Sequence, residues 1–211
     1  MTNRRTSHTA LGCLFAIGLS AVGSMTVSAQ QAPPVPLKLV SSRVSLAGTS
    51  NIHPYTASTT AARLVRLQLA SGVIAPDVWD KVLEPGALEA FEIAIPAATL
   101  TSPKDGLDKN MHKALKVSEH PDITFRLGRL EATEGANAMR GVGVLKIAGV
   151  EREVTLTLKM RRSDGALTVT GEVQLLMTDF GIAPPKAMLG MLKTDPKVTV
   201  TFETVLGIPL T

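Results

Sequence analysis

The sequence predicts a mainly β, antiparallel domain with an apolar interior, on the strength of three observations. Apolar and polar residues alternate with a period of two through runs spread along the chain, the pattern of a sheet with one dry and one wet face. Short connectors with turn chemistry join neighbouring runs. No strand–helix–strand rhythm is present that would call for a parallel sheet. A chain of this kind forms a closed barrel or a sandwich. Closure would remove exposed edges, and an eight-stranded barrel has room for one small ligand.

The front of the 211-residue chain reads as a secretory leader. Arg4 and Arg5 are followed by the apolar, Gly/Ala-rich run Leu11 to Val22 and by small residues at Val27-Ser28-Ala29, which predicts cleavage after Ala29. The apolar run is shorter than the roughly 20 residues of a membrane span, and no later run is long enough, so the mature chain is expected to carry no transmembrane segment and to be periplasmic. Residues 30–36, Gln-Gln-Ala-Pro-Pro-Val-Pro, form a proline-rich lead-in. One β domain is expected over residues 37–211.

Its strand patterns follow in order. Val44 and Leu46 share a face across Leu37–Leu46. Val65, Leu67 and Leu69 alternate with Arg66 and Gln68, and Phe91, Ile93 and Ile95 with Glu92 and Ala94. Ile123, Phe125 and Leu127 alternate with Thr124 and Arg126, and Val154, Leu156, Leu158 and Met160 with Thr155, Thr157 and Lys159. Val169, Val173, Leu175 and Met177 form one face of the next run, and Val198, Val200 and Phe202 one face of the last. Ala148-Gly149-Val150-Glu151 and Ser163-Asp164-Gly165 read as hairpin turns. Leu107, Met111, Ala114 and Leu115 fall at helical spacing before Pro121, so a short helix is expected over Leu107–Val117. A second is compatible with Val78–Leu83, and Pro185–Leu192 suggests a helical turn or lid-like loop.

Composition excludes several function classes. Cleavage after Ala29 removes Cys13, the single cysteine, so disulfides, thiolate catalysis and cysteine-type zinc sites are excluded from the mature chain. It also removes two of 22 basic side chains and none of the 18 acidic ones, leaving a near-balanced chain poor in aromatics, which argues against nucleic-acid binding. His53, His112 and His120 have no metal-ligand spacing, and no nucleophile elbow, phosphate loop or dinucleotide fingerprint occurs, so neither metal, cofactor nor enzymatic chemistry is predicted. Asp179 is expected to cap backbone N–H groups where a strand turns, with Gly181 supplying unusual dihedrals, and Asp108 to sit at the positive end of the helix dipole. Val142-Gly143 and Gly171 are expected at bends or bulges.

Several segments, taken in order, resemble the YceI-like family of secreted, lipocalin-type barrels. They are Gly48-Thr49-Ser50-Asn51-Ile52-His53-Pro54, Ile95-Pro96 with Leu100-Thr101-Ser102, Leu107-Asp108 through Leu115, and His120-Pro121-Asp122-Ile123-Thr124-Phe125. Gly143 to Val150 with Val154-Thr155-Leu156, and Asp179-Phe180-Gly181-Ile182, complete the series. The resemblance spans roughly residues 38–206 and implies an eight-stranded antiparallel, lipocalin-like barrel with one or two short helices that encloses a polyisoprenoid chain. Two positions depart from many relatives. Met177 stands where a basic residue precedes the Asp-Phe-Gly-Ile signature, and His120 where an aromatic precedes the Pro-x-Ile-x-Phe strand. A neutral isoprenoid, a quinone or a fatty-acid-like lipid is thus as compatible with this chain as a polyprenyl phosphate.

On the apolar faces, the residues expected to line the pocket are Phe125, Leu156, Leu158, Met177, Phe180, Met188, Met191, Val200 and Phe202. Of the eight methionines, most lie in the mature chain, and they suit a pocket that adapts to a flexible ligand. A protein that sequesters a long apolar lipid, as monomer or homodimer, is therefore the leading expectation. The alternatives are an interaction or stress-response module with a packed barrel and no ligand, and an enzyme acting on an apolar substrate.

Overall fold

Period-two alternation becomes one continuous antiparallel sheet in the computed structural model, which describes residues 37–71, 73, 78–84, 86–134, 138–163, 165–187 and 191–208. The expected leader and lead-in lie outside the described residues. The strands are β1 (Lys38–Ser50), β2 (Tyr55–Thr59), β3 (Arg63–Leu69), β4 (Leu88–Pro96), β5 (Asp122–Ala132), β6 (Ala138–Ile147), β7 (Val150–Ser163), β8 (Ala166–Leu176), β9 (Lys186–Ala187) and β10 (Leu192–Gly207). Among the described residues two α-helices accompany them, α1 (Val78–Lys81) and α2 (Asp105–Ala114).

The sheet runs β2-β1-β10-β8-β7-β6-β5-β4-β3, with β9 paired to β10 off this path. It curls into a half-barrel whose free edges are β2 and β3. Among the described residues no ladder joins those two edges. Instead, Ser58 of β2 exchanges both backbone hydrogen bonds with Thr101, just past β4, at 2.9 and 3.1 Å. That single bridge ties one edge to the far side of the sheet.

The fold is the expected one with nine strands along the main path in place of eight. The extra strand is β2, whose Tyr-Thr-Ala-Ser-Thr sequence has no apolar alternation to reveal it. The second difference is at the bulges. Val40 of β1, Val65 of β3 and Gly128 of β5 have no register partner, and side-chain alternation shifts by one residue across each. Val65 is therefore 54% exposed, and Leu64 takes the inward place that alternation assigns to it.

The local elements follow their sequence signals. Ala148 and Gly149, with φ of 49° and 83°, form the two-residue turn between β6 and β7, where both central residues need the left-handed region. The ring of His120 packs against the bare Cα of Gly149, so its position serves turn packing. After β8 the chain makes one tight turn at Met177–Phe180, ended by Gly181 at φ 67°. Ile182 N–H donates to Met177 O at 3.0 Å there. Asp179 is exposed and its side chain makes no hydrogen bond among the described residues, which corrects the expected capping role: there the turn is closed by backbone groups. Asp108, by contrast, accepts a 2.8 Å hydrogen bond from Ser102 N–H and fastens the start of α2 to the preceding loop. In the segment expected to be a helical turn or lid-like loop, Lys186–Ala187 pair with Leu192–Lys193 as a short hairpin, so it is not a helical turn there; residues 188–190 lie outside the described residues.

A lumen between two helices

Inward-facing residues of the curled sheet enclose a cavity of about 600 Å³. That volume lies within the range of roughly 300–1,000 Å³ that holds small ligands. The wall is made by alternate residues of nearly every strand. Leu156, Leu158 and Met160 of β7 face Val169, Val173 and Leu175 of β8, and Val198, Val200, Phe202 and Leu206 of β10 continue the surface. Phe91, Ile93 and Ile95 of β4 and Ile123, Phe125 and Leu127 of β5 make the opposite side.

The two ends differ. At one, Val78, Trp79 and Val82 of α1 and its C-terminal turn are buried against Leu37, Met139, Met160, Leu167 and Leu206 in a dry cluster. At the other, α2 turns Leu107, Met111, Ala114 and Leu115 to the lumen, beside Phe180 and Ile182. The exposed polar wall residues His53, Lys104 and Asn110 gather at this second end, with Ser50, Tyr55 and Thr194 close by in sequence or strand order. The lumen therefore has a stopper at α1 and a polar mouth at α2.

Seven of the nine expected pocket residues stand in the wall: Phe125, Leu156, Leu158, Met177, Phe180, Val200 and Phe202. Met188 lies outside the described residues. Met191 is 66% exposed and is not part of the wall. It precedes β10 at the turn from β9, and its carbonyl accepts from Asn51 Nδ2 at 2.9 Å while Asn51 Oδ1 accepts from Lys193 N–H at 2.8 Å. That clamp joins the β1–β2 turn to the start of β10 and leaves the Met191 side chain outside. Sequence reasoning missed the contribution of α2, although its apolar spacing was legible, because spacing shows a face without saying what it covers. It also missed Tyr55 and the polar mouth.

Two strand glycines keep the bore open. In a register pair, Gly171 of β8 lies opposite Phe202 of β10, and the Phe202 ring occupies the space a Cβ on Gly171 would need. Gly143 of β6 does the same for Phe125 of β5, whose Cζ lies 2.7 Å from where a Cβ would stand. Both rings thus lie along the wall and do not project across the lumen. The β5 bulge at Gly128 falls opposite the Val142–Gly143 step, where an irregularity is expected, whereas Gly171 is in register; both glycines also allow this close approach.

The mouth contains a serine and a histidine, but they are arranged as a turn. Ser50 Oγ donates to His53 O at 2.8 Å and accepts from His53 N–H at 3.1 Å, while His53 Nδ1 lies 3.1 Å from Pro54 O. His112 Nε2 lies 2.8 Å from Leu100 O. Among the described residues no three His, Cys, Asp or Glu side chains are grouped to hold a metal ion, and no helix is long and apolar enough to cross a membrane.

Residues 42–206 match the model of the YceI-like domain. No curated protein sequence matches the chain. Among solved structures, the chain is similar to BcnA of Burkholderia cenocepacia, with 15% identity, 78% of this chain and 95% of that one covered, and a TM-score of 0.61. It is also similar to a polyisoprenoid binding domain from Saccharophagus degradans implicated in plant cell wall breakdown, at 12% identity, 83% and 100% coverage and a TM-score of 0.59. The YCEI protein of Campylobacter jejuni aligns at 11% identity over 95% of this chain and all of its own, with a TM-score of 0.54. At these identities the likeness is one of fold.

Proposed function

The chain belongs to the YceI-like family, and on that premise we propose that it is an exported, periplasmic carrier that sequesters a long apolar lipid of the polyisoprenoid type. The observation that carries this reading is the lumen itself, apolar from the α1 stopper to the α2 mouth and about 600 Å³ in volume. A chain drawn into it gains about 0.8 kcal/mol for each methylene withdrawn from water, roughly fourfold in Kd, with no polar recognition needed along its length. A packed barrel serving only as an interaction module would leave no such space.

Sequestration without chemistry is supported by the mouth, where the Ser50 hydroxyl is committed to backbone groups of its own turn. Export is supported by the leader pattern ending at Ala29.

Native mass spectrometry of the exported protein, followed by organic extraction, tests the proposal. The expected result is a polypeptide beginning at Gln30 with one added mass in near-equal amount, extractable as an isoprenoid-type lipid. A clean apo mass with no uptake of added polyprenols or quinones would sink it and favour the interaction module.

A further inference from the structure

Tyr55 is the single tyrosine of the chain, and it sits on the inward face of β2 at the polar mouth. Its register partner is Gly48 of β1, and its ring lies across that glycine so closely that a Cβ there would overlap the hydroxyl. The phenol oxygen is buried, and it has no hydrogen-bond partner among the described residues. Tyr55 lines the lumen. A buried hydroxyl left unpaired is costly, and the cost is recovered when a ligand supplies the missing partner.

We propose that Tyr55 Oη is the hydrogen-bond donor for the head group of the lipid, and that the head it selects is an uncharged oxygen acceptor such as a ketone, quinone or amide carbonyl. This rests on the carrier reading above and deepens it.

The charged or titratable groups at this end of the lumen include His53 and Lys104 in its wall and Asp195, which acts on Tyr55. Burial first, and then the negative charge of Asp195 on β10, raise the phenol above its ordinary value near 10, so it stays protonated and can donate at neutral pH. The same carboxylate disfavours an anionic head beside the hydroxyl. Lys104, exposed at the rim, is the cation that would favour such a head.

Displacement of a bound fluorescent lipid by three twenty-carbon prenyl probes delivered in cyclodextrin tests this: a methyl ketone, the matching hydrocarbon and the matching carboxylate. The ketone should bind about fivefold more tightly than the hydrocarbon, the worth of one ordinary hydrogen bond. In Tyr55→Phe that ratio should fall to near one, while the melting temperature of the lipid-free protein stays level or rises because an unpaired hydroxyl is gone. An unchanged ratio in Tyr55→Phe, or a lower lipid-free melting temperature, would overturn the assignment and leave the carrier reading standing. Tightest binding by the carboxylate would overturn it in favour of Lys104. If the fluorescent lipid itself does not bind, the carrier reading and this one fall together; if it binds and the ketone does not displace it, this assignment alone falls.

Discussion

The α1 and α2 ends of the lumen are made from similar material and do opposite things. At α1, Val78 is fully buried and Trp79 is 9% exposed, packed among side chains from β1, β6, β7, β8 and β10. At α2, Met111 is buried against Ala57 and Leu100, yet the same helix exposes Asn110 and is entered from exposed Lys104. On the proposed carrier reading that contrast would give the lumen a direction, with an amphiphile entering tail first through the α2 end and its head resting beside Tyr55. The same reading predicts that stability is concentrated at the stopper and selectivity at the mouth.

Truncating one residue at each end puts that division to its most severe test. Trp79→Ala removes a large side chain from a packed cluster and should cost about 3–5 kcal/mol in urea unfolding. Lys104→Ala at the rim should stay within about 0.5 kcal/mol. Comparable losses from the two would erase the distinction between stopper and mouth.

A smaller effect is expected midway along the bore. Gly171→Ala forces the Phe202 ring off the wall and into the lumen, a local clash that should cost about 1–3 kcal/mol. Its signature is in binding: a series of prenyl ketones of increasing length should lose affinity at the long end while the shortest member binds as before. Uniform weakening across the series would mean that the ring does not narrow the lumen.

The smallest effect is in alkaline solution. The phenol of Tyr55 has a raised pKa in the folded protein, so its contribution to stability is complete below about pH 10, the ordinary tyrosine value, and is lost as pH rises through the folded value. Chemical denaturation of wild type against Tyr55→Phe between pH 9 and pH 11 (roughly, the window that brackets the ordinary value) should show wild type losing the more stability at the alkaline end. Parallel curves would show that the hydroxyl is not shielded at the mouth.

Much of the wall is legible in the sequence, because apolar alternation holds without a register shift through Val154–Met160 of β7, Leu167–Leu175 of β8 and Val198–Phe202 of β10. Leu156, Leu158, Val200 and Phe202 can be picked from the pattern alone, and they stand in the wall. Val65 cannot, since one extra residue in β3 reverses the face and no residue type announces a bulge there. Met191 fails for a related reason: it lies outside any strand, so alternation says nothing about its direction. Gly143 and Gly171 stand out in the sequence only as weak points in strands; their purpose depends on aromatic rings from neighbouring strands, which only the register reveals.

Neighbours along the chain are enough to set the kind of surface each segment carries: period-two faces, turn residues, one amphipathic helix and the order of the family's segments. All of these could be read from the residues. Tertiary contacts settled the rest: which face of the sheet turned inward, that its interior stayed hollow, that α1 stoppered one end, and that the lone tyrosine lies against Gly48 with no hydrogen-bond partner among the described residues. Each of those outcomes depends on residues far apart in sequence, where register, bulges and the missing Cβ of a glycine determine how closely two strands' side chains approach.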